Sequence, residues 1–265
     1  MTEVALRTAV FLAVFFAMLA WEHFAAARPV ATPMWRRRLV NLALAALGTV
    51  FVRLVMPASL ASAAYLSGVY GIGLFRHVPV PAVASWITTV LVLDLAVYLQ
   101  HRAFHRWTMF WRLHAVHHAD AVFDVTTGFR FHPIEFLVSL AWKSLVVALL
   151  GATAGAAVLF ELILSITALL THGNVRLPAL AEKCARYVFV TPTLHRIHHS
   201  IVPNEREHNY GFSLSCWDRL FGTYRATAGK SDDDLVVGLP GVTPTRSRSL
   251  AAMLLLPLQL TGTRR

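Results

Sequence analysis

The sequence contains little charge. Asp, Glu, Lys and Arg make up 14% of its 265 residues, whereas soluble globular domains average about 25%. Hydrophobic residues make up 56% of the chain, and this balance indicates an integral membrane protein. The net charge of +10 does not indicate a nucleic-acid partner, because the basic residues are spread along the chain. They stand at the ends of apolar runs, where membrane proteins keep Lys and Arg.

Cysteine is also scarce, and so are the signatures of common redox cofactors. Cys184 and Cys216 are the only cysteines. Two cysteines exclude a disulfide framework, and neither belongs to a CxxC pair. The sequence contains no flavin-, nicotinamide- or haem-binding motif. The cysteine count fits a reducing compartment.

Long apolar runs, by contrast, recur along the chain. A bilayer core of about 30 Å needs about 20 apolar residues in a helix, so we predict an all-α bundle of four to five membrane helices. The first run is interpreted as a retained helix, because it is long for a signal peptide and lacks a basic N-terminal region. Residues 58–75 are predicted to be an interfacial or re-entrant connector. The predicted spans cover residues 4–27, 39–56, 79–100, 134–150 and 156–171, the last two forming a hairpin about GATAG.

The arginines predict the orientation of these spans. The segment RPVATPMWRRR, residues 28–38, contains four arginines and should be cytoplasmic. If residues 58–75 do not cross the membrane, the polar segments 101–133 and 172–247 lie on the same side. Together they are predicted to form a cytoplasmic, histidine-rich cap, with the apolar stretch LAAMLLLPLQL in the tail at the membrane interface.

Histidines cluster in this predicted cap. HRAFHRWTMFWRLHAVHH, residues 101–118, contains five, and HRIHH, residues 195–199, contains three. Their offsets of three and four residues place side chains on one face of a helix. A metal ion that keeps room for water or substrate uses three or four imidazoles, so eight suggest two metals. The candidate ligands are His101, His105, His114, His117, His118, His195, His198 and His199. A pH switch is another use of clustered histidines, but it leaves the repeated spacing unexplained.

These motifs, together with FRFHPIE, HGNVRLP and NYGFSLSCWDRLFGTY, resemble the fatty acid hydroxylase/sterol desaturase superfamily over residues 90–226. The resemblance implies a membrane enzyme in which the eight histidines hold a non-haem di-iron centre. Such enzymes use O₂ and electrons to hydroxylate or desaturate lipid C–H bonds. The implied cofactors are two Fe ions, with Zn possible in a purified or inactive form. The implied partners are a lipid substrate and an external electron donor: a cytochrome b5-like protein, a ferredoxin or a reductase.

Further residues are candidates for the site. His172 ends the hairpin before a helix-stopping glycine, and some members of the superfamily have an additional ligand there. We therefore treat it as a ninth candidate ligand, with packing at the helix end as the alternative. Ligating imidazoles usually donate their second N–H to a carboxylate or carbonyl, and Asp94 is expected to hydrogen-bond toward the site. The candidates for orienting ligands are Asp94, His132, Glu135, Asn174 and Asn209, and His132 is alternatively a helix cap before Pro133.

The predicted organisation has three parts. Residues 1–89 are N-terminal membrane helices, residues 90–226 a catalytic domain that includes the membrane hairpin 134–171, and residues 227–265 a tail. The predicted function is O₂-dependent hydroxylation or desaturation of a lipid. The alternatives are a non-catalytic or transport-related metal-binding membrane protein, or a di-zinc hydrolase. Transporters hold ligands near the bilayer midplane, whereas these histidines follow the ends of spans. A short basic chain favours a bacterial inner membrane over a eukaryotic internal membrane.

Overall fold

Helices account for the regular structure of the computed structural model, which describes residues 3–29 and 34–260. No strand is present in these two ranges. The helices, in chain order, are α1 (Glu3–Ala25), α2 (Trp35–Val55), α3 (Leu60–Val69), α4 (Leu74–His77), α5 (Ala82–Arg106), α6 (Thr108–His118), α7 (Pro133–Leu150), α8 (Ala154–Thr171), α9 (Ala179–Ala185), α10 (Pro192–His198), α11 (Pro203–Arg206), α12 (Cys216–Leu220), α13 (Pro244–Ser247) and α14 (Leu250–Gln259). A 3-10 helix, Val125–Phe129, lies between α6 and α7.

Five helical stretches are long and apolar enough to cross a membrane within the described part of the chain. The predicted all-α membrane bundle with a histidine-rich helical region is therefore confirmed. The stretches are Ala5–Ala25, Trp35–His77, Ala82–Arg106, Pro133–Leu150 and Ala154–Thr171.

The second stretch is broken between α2 and α3. The Ser59 hydroxyl accepts a hydrogen bond from the Ser62 N–H, and the Ser59 N–H donates one to the Ser62 hydroxyl, so Ser59 caps a new helix. With ten residues, α3 is about 15 Å long and too short to cross a bilayer alone. Its buried residues Leu60 and Ala64 pack in a cluster with Val147 of α7 and Phe160 of α8. The connector predicted at residues 58–75 thus contains a short helix that packs one face against α7 and α8.

The helical hairpin α7–α8 has sharp ends because its sequence contains the appropriate caps. Pro133 occupies the first turn of α7, where its missing N–H has no cost. Gly151 ends the helix at φ 67°, a left-handed conformation that favours glycine. The Thr153 side chain then caps α8. The hairpin returns the chain to the end of the bundle where α5 ends and α6 lies.

The basic segment after α1 lies at this same end. Arg37 forms buried ion pairs with Asp120 and Asp124, which follow the first histidine cluster. The backbone N–H of Arg28 donates to Asn174. Residues 30–33 of the segment lie outside the described residues. The histidines and the flanking arginines therefore lie at the same end of the bundle. The number of spans predicted between them leads to the same arrangement.

Candidate metal centre

Nine histidines meet at this end of the bundle in two groups. In each group, one ring nitrogen per residue lies within 4.8 Å of the others, and all nine residues are buried. The five-histidine group comprises His101, His105, His114, His118 and His198, and the four-histidine group comprises His117, His172, His195 and His199. The structure thus brings together all eight residues of the predicted clusters and adds His172 to them.

The HxxHH motif serves both groups from a single helix. His114 and His118 of α6 belong to the five-histidine group, whereas His117, one residue away, belongs to the four-histidine group. Consecutive helical residues point about 100° apart, while residues four apart share a face. The second motif uses the same rule with the groups exchanged: the outer two histidines join the four-histidine group and His198 joins the five-histidine group. The repeated spacing therefore builds two adjacent sites.

Backbone carbonyls orient four of the nine rings. A carbonyl oxygen only accepts hydrogen bonds, so the Nδ1 that faces it must carry the hydrogen. A neutral ring then presents a lone pair on Nε2, the form in which histidine binds a metal. The bonds run from His101 Nδ1 to Tyr210 O (2.8 Å), from His117 Nδ1 to Arg130 O (3.2 Å), from His172 Nδ1 to Ala168 O (2.8 Å), and from His198 Nδ1 to His208 O (2.8 Å).

The resulting lone pairs face one another. His117 Nε2 lies 3.2 Å from His172 Nε2, and since both rings donate through Nδ1, two lone pairs meet there. This contact is repulsive unless a cation lies between the rings. Two nitrogens bound at about 2.0–2.1 Å to one ion, at right angles, would be about 3 Å apart. The His195 Nε2–His172 Nε2 distance of 2.9 Å has the same value, so the four-histidine group fits a metal ion.

The five-histidine group also gathers ring nitrogens that have few partners. His105 Nε2 and His118 Nε2 are 3.1 Å apart. The Nε2 atoms of His101, His114 and His198 are buried and have no hydrogen-bond partner in the described part of the chain. Buried polar atoms are rarely left unpaired. This group therefore also fits a metal ion.

The environment keeps the rings uncharged. Burial lowers the pKa of His114 to about 3 and that of His172 to about 4. Burial, followed by repulsion from neighbouring imidazoles, lowers the pKa well below the usual value in His117, His118, His195, His198 and His199. At neutral pH these seven histidines are thus ready to donate a lone pair.

Glu135 contacts this centre directly. Its carboxylate accepts a hydrogen bond from His114 Nδ1 at 2.7 Å, which leaves the Nε2 of His114 as the free nitrogen. The arrangement matches the carboxylate–histidine pairs that orient metal ligands.

The other four residues expected to orient ligands have different partners. Asp94 accepts from Trp217 Nε1 (2.9 Å) and from the Leu214 N–H (3.3 Å), and so ties α5 to the chain around α12. His132 accepts from the Ile134 N–H (3.2 Å) and caps α7. Neither carries a hydrogen bond to any of the nine histidines in the described chain. The observed contact of His132 is that of a helix cap, which was the alternative interpretation of this residue.

Asn174 and Asn209 hold loops. Asn174 exchanges hydrogen bonds with the backbone of Arg28 (2.9 and 3.1 Å). Asn209, at φ 57°, donates to the carbonyls of Leu194 (3.1 Å) and Arg225 (2.9 Å). It supports the turn near α10 without bonding to a histidine ring.

The individual contacts around the centre could not be derived from the sequence. Phe131 stacks on His117, with ring centroids 4.3 Å apart and an interplanar angle of 9°. Glu207 lies 3.6 Å from the Nδ1 of His105. The carbonyl partners gave no sequence signal, because every residue has a carbonyl. Phe131 lies within FRFHPIE, so the motif identified this part of the chain but not the stacking of Phe131 on His117.

A cavity of about 250 Å³ opens onto both histidine groups. Its walls are mostly apolar, with Phe104 and Phe131 among the lining residues. Two histidines from each group line it: His101 and His114 from the five-histidine group, His117 and His195 from the four-histidine group. A molecule in the cavity can therefore approach both candidate metal positions at once.

Comparison with known proteins adds an independent finding. The sequence profile described as fatty acid hydroxylase matches residues 86–223. An ornithine lipid hydroxylase from Rhizobium tropici is 31% identical over 69% of this chain and 53% of its own length. An alkylglycerol monooxygenase from Caenorhabditis elegans is 30% identical over 58% of this chain and 29% of its own length. A Delta(7)-sterol 5(6)-desaturase from Saccharomyces cerevisiae is 26% identical over 58% of this chain and 38% of its own length.

The chain thus spans about half or less of the length of these relatives. No solved structure matches the chain.

Proposed function

Because the chain belongs to the fatty acid hydroxylase family, we propose that it is a membrane-bound, O₂-dependent oxidoreductase that hydroxylates or desaturates an unactivated C–H bond of a lipid. One observation carries the proposal. The apolar cavity is lined by two histidines from each group. The names of the three relatives describe hydroxylation, monooxygenation and desaturation of lipids, and they support the same reaction class.

The nine histidines are proposed to hold two iron ions, one in each group. When bound, the ions supply the activation of O₂ and the removal of hydrogen from carbon. The protein's own part is to present uncharged nitrogens at fixed positions. The carbonyl bonds from His101, His117, His172 and His198, together with Glu135, hold the rings in orientation. The phenylalanines of the cavity exclude water and bring an apolar chain against the histidines.

Partners and location belong to the same proposal. The sequence has no flavin, nicotinamide or haem motif, so the electrons are proposed to come from a cytochrome b5-like protein, a ferredoxin or a reductase. The histidine end is proposed to face the cytoplasm, because the arginine-rich segment lies there, in a bacterial inner membrane. Residues 90–226 are proposed as the catalytic part, including the membrane hairpin, with residues 1–89 as membrane helices and the tail from residue 227 onward.

Lipid profiling tests the reaction. Membrane lipids are extracted from cells expressing the wild type, the His117→Ala variant or the His77→Ala variant, each grown in air and at low O₂. His77 is exposed in α4, away from both groups, and serves as the matched histidine control. We expect a lipid heavier by one oxygen, or lighter by two hydrogens, in air with the wild type and the control only.

Metal analysis of the purified protein complements this experiment. Iron with an O₂-dependent lipid product supports the proposal. Zinc with an O₂-independent product would support the di-zinc hydrolase, and an unchanged lipid profile would support a non-catalytic metal protein. An equal product from the His117→Ala variant would contradict the assignment of this site.

A further inference from the structure

Besides Ser165, whose hydroxyl donates to the Glu161 carbonyl, three polar side chains line the cavity on the membrane side of the histidines. They are Lys143 and Ser139 of α7 and Gln100 of α5. Lys143 is ten residues, about 15 Å, into α7, near the middle of an apolar span. A charged side chain at such a depth is costly and usually marks a functional site. The role of these three side chains within the bundle therefore requires an explanation.

None of the three has a side-chain hydrogen bond to the described residues. The Oε1 of Gln100 is buried and unpaired there, and neither Ser139 nor Lys143 makes a hydrogen bond or ion pair with the described chain. Glu161 is the carboxylate that interacts electrostatically with Lys143. It forms its close ion pair with Arg7, at 2.8 Å. The ammonium of Lys143 therefore has an open position for an anion.

The helix register fixes how far this position lies from the histidines. Trp142 Nε1 donates to Ala96 O at 2.9 Å, so Lys143 is level with that part of α5. His101 follows five residues later, about 7–8 Å further along the helix axis. Ser139 lies one turn closer to the histidines than Lys143. The polar side chains thus form a short track from the middle of the span toward the candidate metal positions.

We propose that Lys143, Ser139 and Gln100 form a subsite that binds an anionic oxygen group, a carboxylate or a phosphate, of a lipid in the cavity. An ammonium, a hydroxyl and an amide offer the hydrogen-bond donors that such a group accepts. A lipid held there extends its apolar chain past the phenylalanines to the histidines. The subsite selects the carbon that meets the centre, and this part of the inference rests on the proposed function. Binding of the anion does not.

Binding of matched 16-carbon probes tests the subsite without turnover. Tritiated palmitate, hexadecyl phosphate, hexadecanol and hexadecane are each measured on the full chain in phosphatidylcholine nanodiscs, with empty nanodiscs subtracted. The variants are Lys143→Met, Lys143→Gln and Lys143→Arg. Lys183→Met is the matched control, because Lys183 is exposed in α9.

We expect the wild type and Lys183→Met to bind palmitate or hexadecyl phosphate at least about tenfold more tightly than hexadecane, as a charge-assisted hydrogen bond would provide. The two anionic probes distinguish a carboxylate from a phosphate. Lys143→Met and Lys143→Gln should lose this preference yet bind hexadecane as before, which also shows that the cavity is intact. Lys143→Arg should retain the preference.

Two results would overturn the subsite: no preference for either anion in the wild type, or an unchanged preference in Lys143→Met. If Lys143→Met binds a 20-carbon alkane that the wild type does not bind, and retains the anion preference, Lys143 would instead limit the length of chain that the cavity accepts. If the subsite is correct but the proposed function is wrong, the result differs from both of these. Probe binding would then follow the expected pattern while no lipid is oxidised by the iron-loaded protein.

Discussion

At the scale of single residues, neighbouring histidines have separate tasks. His198 and His199 are adjacent in HRIHH, yet they belong to different groups. Removing His198 leaves four histidines in its group, whereas removing His199 leaves three. A chain segment of two residues thus connects both candidate metal positions. Substitutions at adjacent positions should consequently have unequal effects.

We expect His199→Ala to weaken metal binding more than His198→Ala. Loss of a mere orienting partner costs about 10–100-fold in metal affinity, and loss of a ligand from the smaller group should cost at least as much. Mass spectrometry of metals in the purified variants, after dialysis against a chelator, measures the ions retained per chain. His77→Ala controls for the loss of a histidine elsewhere. Equal loss in the two adjacent variants would contradict the division into two groups.

The spacing of the histidines predicted a meeting place but not this division. Offsets of three and four residues determine which face of a helix carries a ring, and His114 and His118 share a face as expected. The direction of His117 toward a second group depends on how α6 packs against α5, α7 and α14. That packing arises from contacts distant in sequence. The same reason explains why Asp94, on the expected helix, bonds to Trp217.

At the scale of helices, length and caps made the membrane bundle predictable. The hairpin predicted at residues 134–150 and 156–171 is observed at Pro133–Leu150 and Ala154–Thr171, because apolar runs and GATAG define it locally. The path between α2 and α5 was less predictable. It depends on the close approach of two backbone turns, at Gly73 and Gly151. A Cβ built on Gly73 would lie 2.1 Å from the Gly151 nitrogen.

Gly73→Ala should therefore destabilise the bundle more than Gly71→Ala. Both glycines have positive φ, 108° and 64°, so alanine is strained at either position by about 1–2 kcal/mol. Nothing lies within 4 Å of a Cβ on Gly71, so strain is its whole cost. At Gly73 the two turns must also separate. Unfolding of the purified variants in detergent, followed by circular dichroism, compares them, and equal stability would refute the contact.

At the scale of the whole molecule, parts outside the matched family region support the centre. Arg130 accepts the bond from His117 through its carbonyl, while its fully buried guanidinium donates to Asn41 of α2 (2.8 Å) and to the carbonyl of Ser247 (2.9 Å). The family match ends before the tail and begins after α2. The three segments predicted from the sequence are thus physically interlocked at the four-histidine group.

Asn41→Leu should accordingly lower metal retention by the four-histidine group. Leucine has a similar size but leaves the Nη1 of Arg130 without its acceptor, and an unsatisfied buried charged group costs about 1–3 kcal/mol or more. The matched control is Asn204→Leu in α11, outside this network. Metal content after chelator dialysis measures the effect. Equal retention by the two variants would show that α2 does not support the centre.

The stability of the folded protein in acid depends on all the buried imidazoles. The direction of its pH dependence follows from their pKa values. In the unfolded chain a histidine has a pKa near 6.5, whereas in the folded chain that of His114 is about 3 and that of His172 about 4. Between these limits the unfolded chain binds more protons, so acidification favours unfolding. Each of the two should cost the metal-free protein about 1.4 kcal/mol per pH unit below about 6.5.

We expect the stability of the metal-free protein to be nearly constant above about pH 7.5 and to fall steeply from about pH 6.5 to 4. Unfolding measured across this range, on chelator-treated protein, gives the slope directly. His172→Phe keeps a buried ring but removes one titrating group, so its slope should be shallower than that of the wild type. Bound metal should delay the fall, because it must compete with protons for the same nitrogens. A slope unchanged by His172→Phe would mean that this imidazole already takes up its proton in the folded state, contrary to its burial among the other rings.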